Sequence, residues 1–252
     1  MKTISGISLI AAAAILLALG APARASRDTR IEKAAKDSYV FRTYLKNDEV
    51  KVDCKKGVVT LTGSVVDNSH KSLAQDTVSS LAGVKSVENK LEIKGEPTAN
   101  SDAWLSDKLK IALLFHRSVS AGKAEVSVKD GVVTLKGNAD SQAQKELTTE
   151  YAKDIDGVKE VQNEMIVSEA GKDTVRTTGE RIDDSSITAQ VRMALLLHRS
   201  TSVLTTSVAT KRGVVTIGGK AGNTAEKDLV SKLVGDINGV KSVKNLMVTE
   251  QP

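Results

Sequence analysis

Gly57-Val58-Val59-Thr60-Leu61-Thr62-Gly63 returns as Gly131-Val132-Val133-Thr134-Leu135-Lys136-Gly137 and again as Gly213-Val214-Val215-Thr216-Ile217-Gly218-Gly219. A seven-residue word that recurs three times makes the chain a tandem array. A second word starts 26 residues after the first glycine in every copy: Gly83-Val84-Lys85-Ser86-Val87, Gly157-Val158-Lys159-Glu160-Val161 and Gly239-Val240-Lys241-Ser242-Val243. Equal spacing in all three implies one structural core. The stretches between copies, Lys94 to Ser101 and Ser168 to Asp184, are polar and carry Gly95, Pro97, Gly171 and Gly179, as linkers do. Domains are expected over 30–96, 101–169 and 181–252, with 170–180 as a linker.

The elements of one copy follow from its periods. Val126 and Val128 alternate with polar neighbours, Lys129-Asp130-Gly131 turns the chain, and Val133 and Leu135 share a face of the returning strand. This is a β-hairpin. Ala143, Leu147, Tyr151, Ala152 and Ile155 then recur at three- and four-residue spacings, as do Ala225, Leu229, Leu233, Val234 and Ile237 in the third copy. That is an amphipathic helix. Val158, Val161, Met165 and Val167 form a third strand, and Leu105, Leu109, Ala112 and Leu113 mark a helix ahead of the hairpin. In the first copy the corresponding helix is expected near Val40 to Leu45, with fewer residues before its hairpin. Each unit reads α-β-β-α-β: an α+β fold in three small domains, each a three-stranded mixed sheet with two helices on one face. At about 70 residues such a unit sits near the lower limit for a stable core, so neighbouring copies are expected to pack together.

The amino terminus reads as a leader. Lys2 precedes an apolar run from Ile7 to Leu19, and Ala23-Arg24-Ala25 has the small-x-small form of a signal peptidase site. Residues 1–25 are expected to be removed near Ala25, giving an exported, periplasmic protein. The apolar run is short of the roughly 20 residues that span a bilayer, and no cysteine follows the cleavage site, so membrane contact would be peripheral. The whole chain carries +5, from 36 basic and 31 acidic residues. Losing Lys2 and Arg24 leaves the mature chain only slightly basic.

The hairpin word, the second word with Asn89, Asn163 and Asn245 behind it, and the helix opening Asp102-Ala103-Trp104-Leu105 resemble the BON domain, named for bacterial osmotically inducible and nodulation proteins. The resemblance covers all three units. It implies a small α-β-β-α-β sandwich without enzymatic activity, binding phospholipid surfaces or supporting the cell envelope under osmotic stress.

The residues themselves offer little for catalysis. Cys54 shares a strand face with Val50 and Val52, and its counterparts are Val128 and Thr210, so it reads as a core thiol. One cysteine makes no internal disulfide, and three histidines without metal-ligand spacing make no recognisable zinc centre. His116 and His198 stand at helix ends within Leu114-Phe115-His116-Arg117-Ser118 and Leu196-Leu197-His198-Arg199-Ser200, where a cation complements the helix dipole. His70 opens the second helix of the first copy and has no counterpart. None has a nucleophile or carboxylate placed for a triad. The paired glycines bracket a strand and carry no Lys-Ser/Thr behind them, so they are turns and not a phosphate loop. No catalytic residue, metal or cofactor is expected. Aromatic content of 2% in an exported chain leaves no stacking platform for nucleic acid.

One surface pattern suggests binding. With Leu105 facing the core, helical geometry turns Lys110, Leu114 and Arg117 away from it, and Arg192, Leu196 and Arg199 repeat the pattern in the third copy. An outward leucine between cations suits shallow contact with anionic phospholipid headgroups. It equally suits packing against a neighbouring copy. The third copy is the basic one, with ten basic against six acidic residues, and is the expected membrane-facing unit. The competing partner class is an unfolded or outer-membrane client protein, held as by a chaperone or adaptor. Replacing Arg192 by Glu with Leu196 by Asp is expected to abolish vesicle binding and leave the fold intact.

Overall fold

The computed structural model describes residues 26–95, 101–119, 124–167, 181–201 and 206–249. The expected leader, 1–25, and the linker, 170–180, lie outside the described residues. Unit 1 runs α1 (Arg27–Asp37), α2 (Tyr39–Thr43), β1 (Glu49–Lys55), β2 (Val58–Val65), α3 (Asn68–Ser79) and β3 (Ser86–Ile93). Unit 2 runs α4 (Asp102–Phe115), β4 (Ala124–Lys129), β5 (Val132–Ala139), α5 (Gln142–Lys153), β6 (Glu160–Asn163) and β7 (Ile166–Val167). Unit 3 runs α6 (Asp184–Leu197), β8 (Ser207–Lys211), β9 (Val214–Gly218), β10 (Lys220–Ala221), α7 (Thr224–Gly235), β11 (Ser242–Asn245) and β12 (Val248–Thr249). In each, the first two strands pair antiparallel and the third pairs parallel to the second after the helical crossover.

The two repeated words have specific jobs in this fold. Lys56-Gly57, Asp130-Gly131 and Arg212-Gly213 all have positive φ, the geometry of a two-residue hairpin turn matched to strand twist. The freed turn amides are taken by an aspartate at the start of the first helix: Lys56 N and Gly57 N donate to Asp28 at 2.7 and 3.0 Å. Asp102 and Asp184 repeat the clamp on the other two turns. Unit 1 therefore includes Asp28, ahead of the boundary at residue 30. The second word brings the third strand home, since Lys85, Lys159 and Lys241 donate their backbone N–H to the carbonyls of Gly57, Gly131 and Gly213. Asn163 then buckles that strand: its Nδ2 donates to Lys145 O at 2.9 Å while its Oδ1 accepts from Met165 N at 3.0 Å. Asn89 and Asn245 make the same pair of bonds, which explains why that asparagine recurs.

The first copy departs from the expected helix near Val40 to Leu45. Its helix is broken at Ser38, with α1 filling 27–37 and only the short α2 lying at 39–43. Ser38 ends one piece and caps the next: its Oγ donates to Ala35 O at 2.7 Å and accepts from Phe41 N at 3.4 Å. The amides exposed by the break are bonded by unit 3, Tyr39 N to Asp183 Oδ2 at 2.8 Å and Val40 N to Ser186 Oγ at 3.1 Å. A break in water would leave those donors to solvent; here a neighbour completes the helix start.

Helices meet helices between the units, and the sheets lie outside. The inter-unit contacts are made chiefly by α3 and α4 against α6. Helix α6 is buried on nearly every side, from Ser185 through Leu197, as a helix at the centre of a body must be. Tyr44 of unit 1 joins all three units, its ring edge-on to Phe115 at 5.4 Å and its hydroxyl 3.2 Å from Gln190 Oε1. Fully buried side chains such as Leu61, Leu73, Leu135, Ile187 and Ile217 fill the cores, each contributing roughly 1.5–3 kcal/mol.

Candidate functional site

The Leu-x-His-Arg-Ser segments that close α4 and α6 do not project into solvent. Each docks on the turn after the second helix of the other unit. Arg117 N donates to Asp236 O at 3.0 Å, and Arg199 N donates to Asp154 O at 2.9 Å. Asn238 N returns a bond to Phe115 O at 2.8 Å, as Asp156 N does to Leu197 O at 3.5 Å. Ser118 bonds the Asp236 carboxylate and Ser200 bonds that of Asp154. Units 2 and 3 thus exchange the same contacts in both directions, a pseudo-twofold clasp.

The two histidines meet at its centre. Both are buried, with Nε2 of His116 3.3 Å from Nε2 of His198. His198 Nδ1 lies 3.0 Å from Asp154 Oδ2, and the Nε2–Nε2 contact needs one ring to donate and the other to accept. His116 Nδ1 faces Asp236 Oδ2 at 3.4 Å, a longer approach than that of His198 to Asp154. Tyr151 stacks on His116 at 4.0 Å and donates its hydroxyl to Asp236 Oδ2 at 2.8 Å. Burial pushes the pKa of His116 down; the bond toward Asp236 opposes that, and His198 reinforces it. For Asp236 burial works against the charge, but the bonds from His116, Ser118 and Tyr151 outweigh it and hold the carboxyl below its usual range. These histidines are therefore interface groups, buried between two units and not at free helix ends. Among the described residues no group of three or more His, Cys, Asp or Glu is arranged to hold a metal ion.

The six candidate binding residues are dispersed by this packing. Arg117 donates to Val240 O at 3.2 Å and to Gly235 O, across the clasp. Arg199 lies 3.9 Å from Asp154. Arg192 faces unit 1, its Nη1 3.5 Å from Asp76 Oδ1, and also donates to Val208 O. Lys110 is exposed beside Asp107 at 3.4 Å. Leu114 and Leu196 do point outward, at 39% and 60% exposure. The outward direction of the leucines is as helical geometry implies; the arginines beside them are engaged by neighbouring units.

Leu196 also borders a cleft that no single unit contains. About 230 Å³ opens where the three units meet, lined by Ser69 and Ser72, by Trp104 and Lys108, and by Met193 and Leu196. Lys108 is buried there, 4.7 Å over the Trp104 ring and donating to Asp156 O at 3.0 Å. Burial lowers its pKa, with Asp156 pulling the other way. Cys54 is buried as expected; burial and the neighbouring Asp28 push its thiol pKa up, away from the reactive thiolate.

The residues missed by sequence reasoning are Asp154, Asp236 and Tyr151. A signal existed: Asp-Ile-x-Gly follows the second helix in the two copies that carry His-Arg-Ser, whereas copy one has Ser80-Leu81-Ala82-Gly83 and no His-Arg-Ser.

Comparison with known proteins agrees with this three-unit reading. The BON domain family model matches residues 27–95, 101–169 and 183–251. Among curated relatives, "Osmotically-inducible protein Y" of Escherichia coli (strain K12) is 30% identical over 149 residues, which are 59% of this chain and 73% of that protein. "Uncharacterized protein in gshII 5'region" of Anaplasma centrale is 32% identical over 142 residues, 56% of this chain and 90% of that one. Two solved chains of CdsD, a structural protein of the type III secretion system of Chlamydia trachomatis, match at 16% and 17% identity with a TM-score of 0.24. Each match covers 88% of this chain, and 96% and 91% of the CdsD chains respectively; at that score neither bears on fold or function. With all three repeats matched and nearly the whole described chain inside them, the chain belongs to the BON domain family.

Proposed function

We propose that this is an exported, non-enzymatic envelope protein of the periplasm that binds anionic phospholipid surfaces peripherally and supports envelope integrity under osmotic stress. The observation that carries the reading is a coincidence of charge and apolarity. Unit 3 has ten basic against six acidic residues. It also carries Leu196, Leu229, Leu246 and Val248, four of the seven large apolar side chains exposed among the described residues. Apolar side chains that enter the headgroup region, with lysines and arginines near lipid phosphates, give reversible attachment. Among the described residues no helix is long and apolar enough to cross a membrane, and the name of the Escherichia coli relative agrees with an osmotic role.

The test is co-sedimentation of residues 26–252 with phosphatidylglycerol-containing and purely zwitterionic vesicles, at low and high salt. Binding confined to anionic vesicles and weakened by salt is expected. No binding to either would move the reading to a chaperone or adaptor, which the apolar cleft between the three units favours. Arg192 should be left intact in such tests. Because it faces Asp76, its replacement by Glu would set two carboxylates together and disturb the contact between units 1 and 3. Leu196→Asp alone tests the helix face.

A further inference from the structure

The helix-free faces of the three sheets point out of the body, and on that face the units diverge. Their third strands align through the recurring asparagines Asn89, Asn163 and Asn245. Side chains alternate along a strand, so the outward positions can be compared across units. Unit 1 shows Glu88, Lys90 and Glu92; unit 2 shows Gln162, Glu164 and Ile166; unit 3 shows Lys244, Leu246 and Val248. Met247, between the last two, is buried on the helix side. Leu246 and Val248 are 65% and 62% exposed.

The rest of the unit 3 face agrees. Lys244 pairs in register with Thr216, and Thr216 with Ala209. One step along, Ser242 pairs with Val214 and Val214 with Lys211, while Val248 lies beside Lys220. No described Asp or Glu stands on this face. Unit 1 places Asp53 and Glu88 there, and unit 2 places Glu125 and Glu160. The strand bearing the apolar pair is held by Leu246 N to Ile217 O at 2.7 Å and Val248 N to Gly219 O at 2.9 Å. It is the outer strand of its sheet. By contrast Leu196 shares its cleft with Asp67 and Asp107, carboxylates that an anionic surface would repel.

We propose that the outward sheet face of unit 3, centred on Leu246 and Val248 and flanked by Lys244 and Lys211, is the surface that seats the protein on an anionic phospholipid bilayer. This rests on the lipid-binding reading above and assigns it to the sheet instead of the first helices. The apolar pair enters the headgroup layer at neighbouring outward positions, and Lys244 and Lys211 meet phosphates, no described Asp or Glu occupying the strand positions of this face.

The experiment compares the mature chain with Leu246→Asp/Val248→Asp, Leu246→Thr/Val248→Thr, Lys244→Glu and Leu196→Asp, on phosphatidylglycerol-containing vesicles at low salt. Circular dichroism and sedimentation velocity accompany each variant. Threonine suits a strand, so the Thr pair keeps the test valid if aspartate disturbs the sheet. Both double variants should lower vesicle affinity at least tenfold, Lys244→Glu several-fold, and Leu196→Asp less than twofold. A wild-type chain that binds while the Thr pair binds equally well would overturn the face and leave the lipid reading standing. A loss confined to Leu196→Asp would overturn it in favour of the helix. A wild-type chain that ignores vesicles would overturn reading and face together. Dimerisation abolished by the Thr pair, without vesicle binding, would identify a second copy as the occupant and overturn the membrane assignment.

Discussion

Units 2 and 3 hold each other by reciprocal exchange, whereas unit 1 is attached to unit 3 by contacts that run one way. In the clasp each unit offers the same two pieces, a His-Arg-Ser helix end and an Asp-Ile turn, and each receives the other's. In the second contact Asp183 and Ser186 cap the broken helix of unit 1, and Arg192 reaches Asp76. Unit 1 has Ser80 in place of the clasp aspartate and no histidine at its helix end, so it has neither half to exchange. The difference shows how one repeated fold forms two kinds of joint: the core words are the same, and the residues just outside them decide which surfaces mate.

The clasp itself is uneven, and that gives the largest expected effect. Asp236 receives Tyr151, Ser118 and Arg117, and faces His116. Asp154 receives His198, Ser200 and Arg199, with Leu233 of unit 3 where unit 2 has Tyr151. Removing one partner from a buried charge network strands the others, at a cost of about 3 kcal/mol or more. Asp236→Ala is therefore expected to destabilise by about 3 kcal/mol in urea unfolding, and Asp154→Ala by less. Equal losses would mean that Tyr151 adds nothing and the clasp is symmetric in energy as well as in pattern.

Acid should loosen this joint before the other. The pKa of His116 is below the ordinary imidazole value of 6.5 because of burial first, with Asp236 and His198 acting against each other. The unfolded chain therefore takes up this proton more readily than the folded one. Its contribution to stability is complete above about pH 6.5 and is lost as pH falls through the imidazole range toward the lowered value. For Asp154 and Asp236 burial opposes ionisation, but hydrogen bonding prevails and lowers both pKa values. Their contribution persists until the pH drops below the usual carboxylate range. Melting midpoints measured from pH 8 to 5 should hold steady and then fall on the acid side, and His116→Gln should flatten that fall. A fall of equal size in the variant would place the proton elsewhere.

The fold was legible where local chemistry repeats. The hairpin turn, the crossover helix and the parallel third strand all follow from words present three times, and the recurring asparagine is explained by one bonding pattern. The break at Ser38 was not legible, because Asp183 and Ser186, which complete it, lie 144 or more positions away in sequence. The outward directions of Leu114 and Leu196 came from helical geometry alone. The fate of Arg117, Arg192 and Arg199 did not, since a helix period says which side a residue faces and not what neighbour waits there. The exposed pair Leu246 and Val248 was visible only as apolar residues in a strand; alternation puts both on the face opposite buried Met247, an outward place that apolar side chains do not announce.

The smallest expected effect separates the two joints most sharply. Arg192→Leu removes an ion pair whose partners are both partly exposed, with Arg192 Nη1 3.5 Å from Asp76. Such a pair contributes about 0.5 kcal/mol, and burial, the leading influence on Asp76, already pushes its carboxyl pKa up against the pull of Arg192. Asp183→Ala should exceed it, by about 1–2 kcal/mol, because one carboxylate caps α6 through Ser186 N and α2 through Tyr39 N. Urea unfolding of the two variants ranks them directly. If Arg192→Leu were the costlier, unit 1 would be held to unit 3 by charge, and salt would weaken that joint; if Asp183→Ala is, the joint is made of backbone donors and is insensitive to salt.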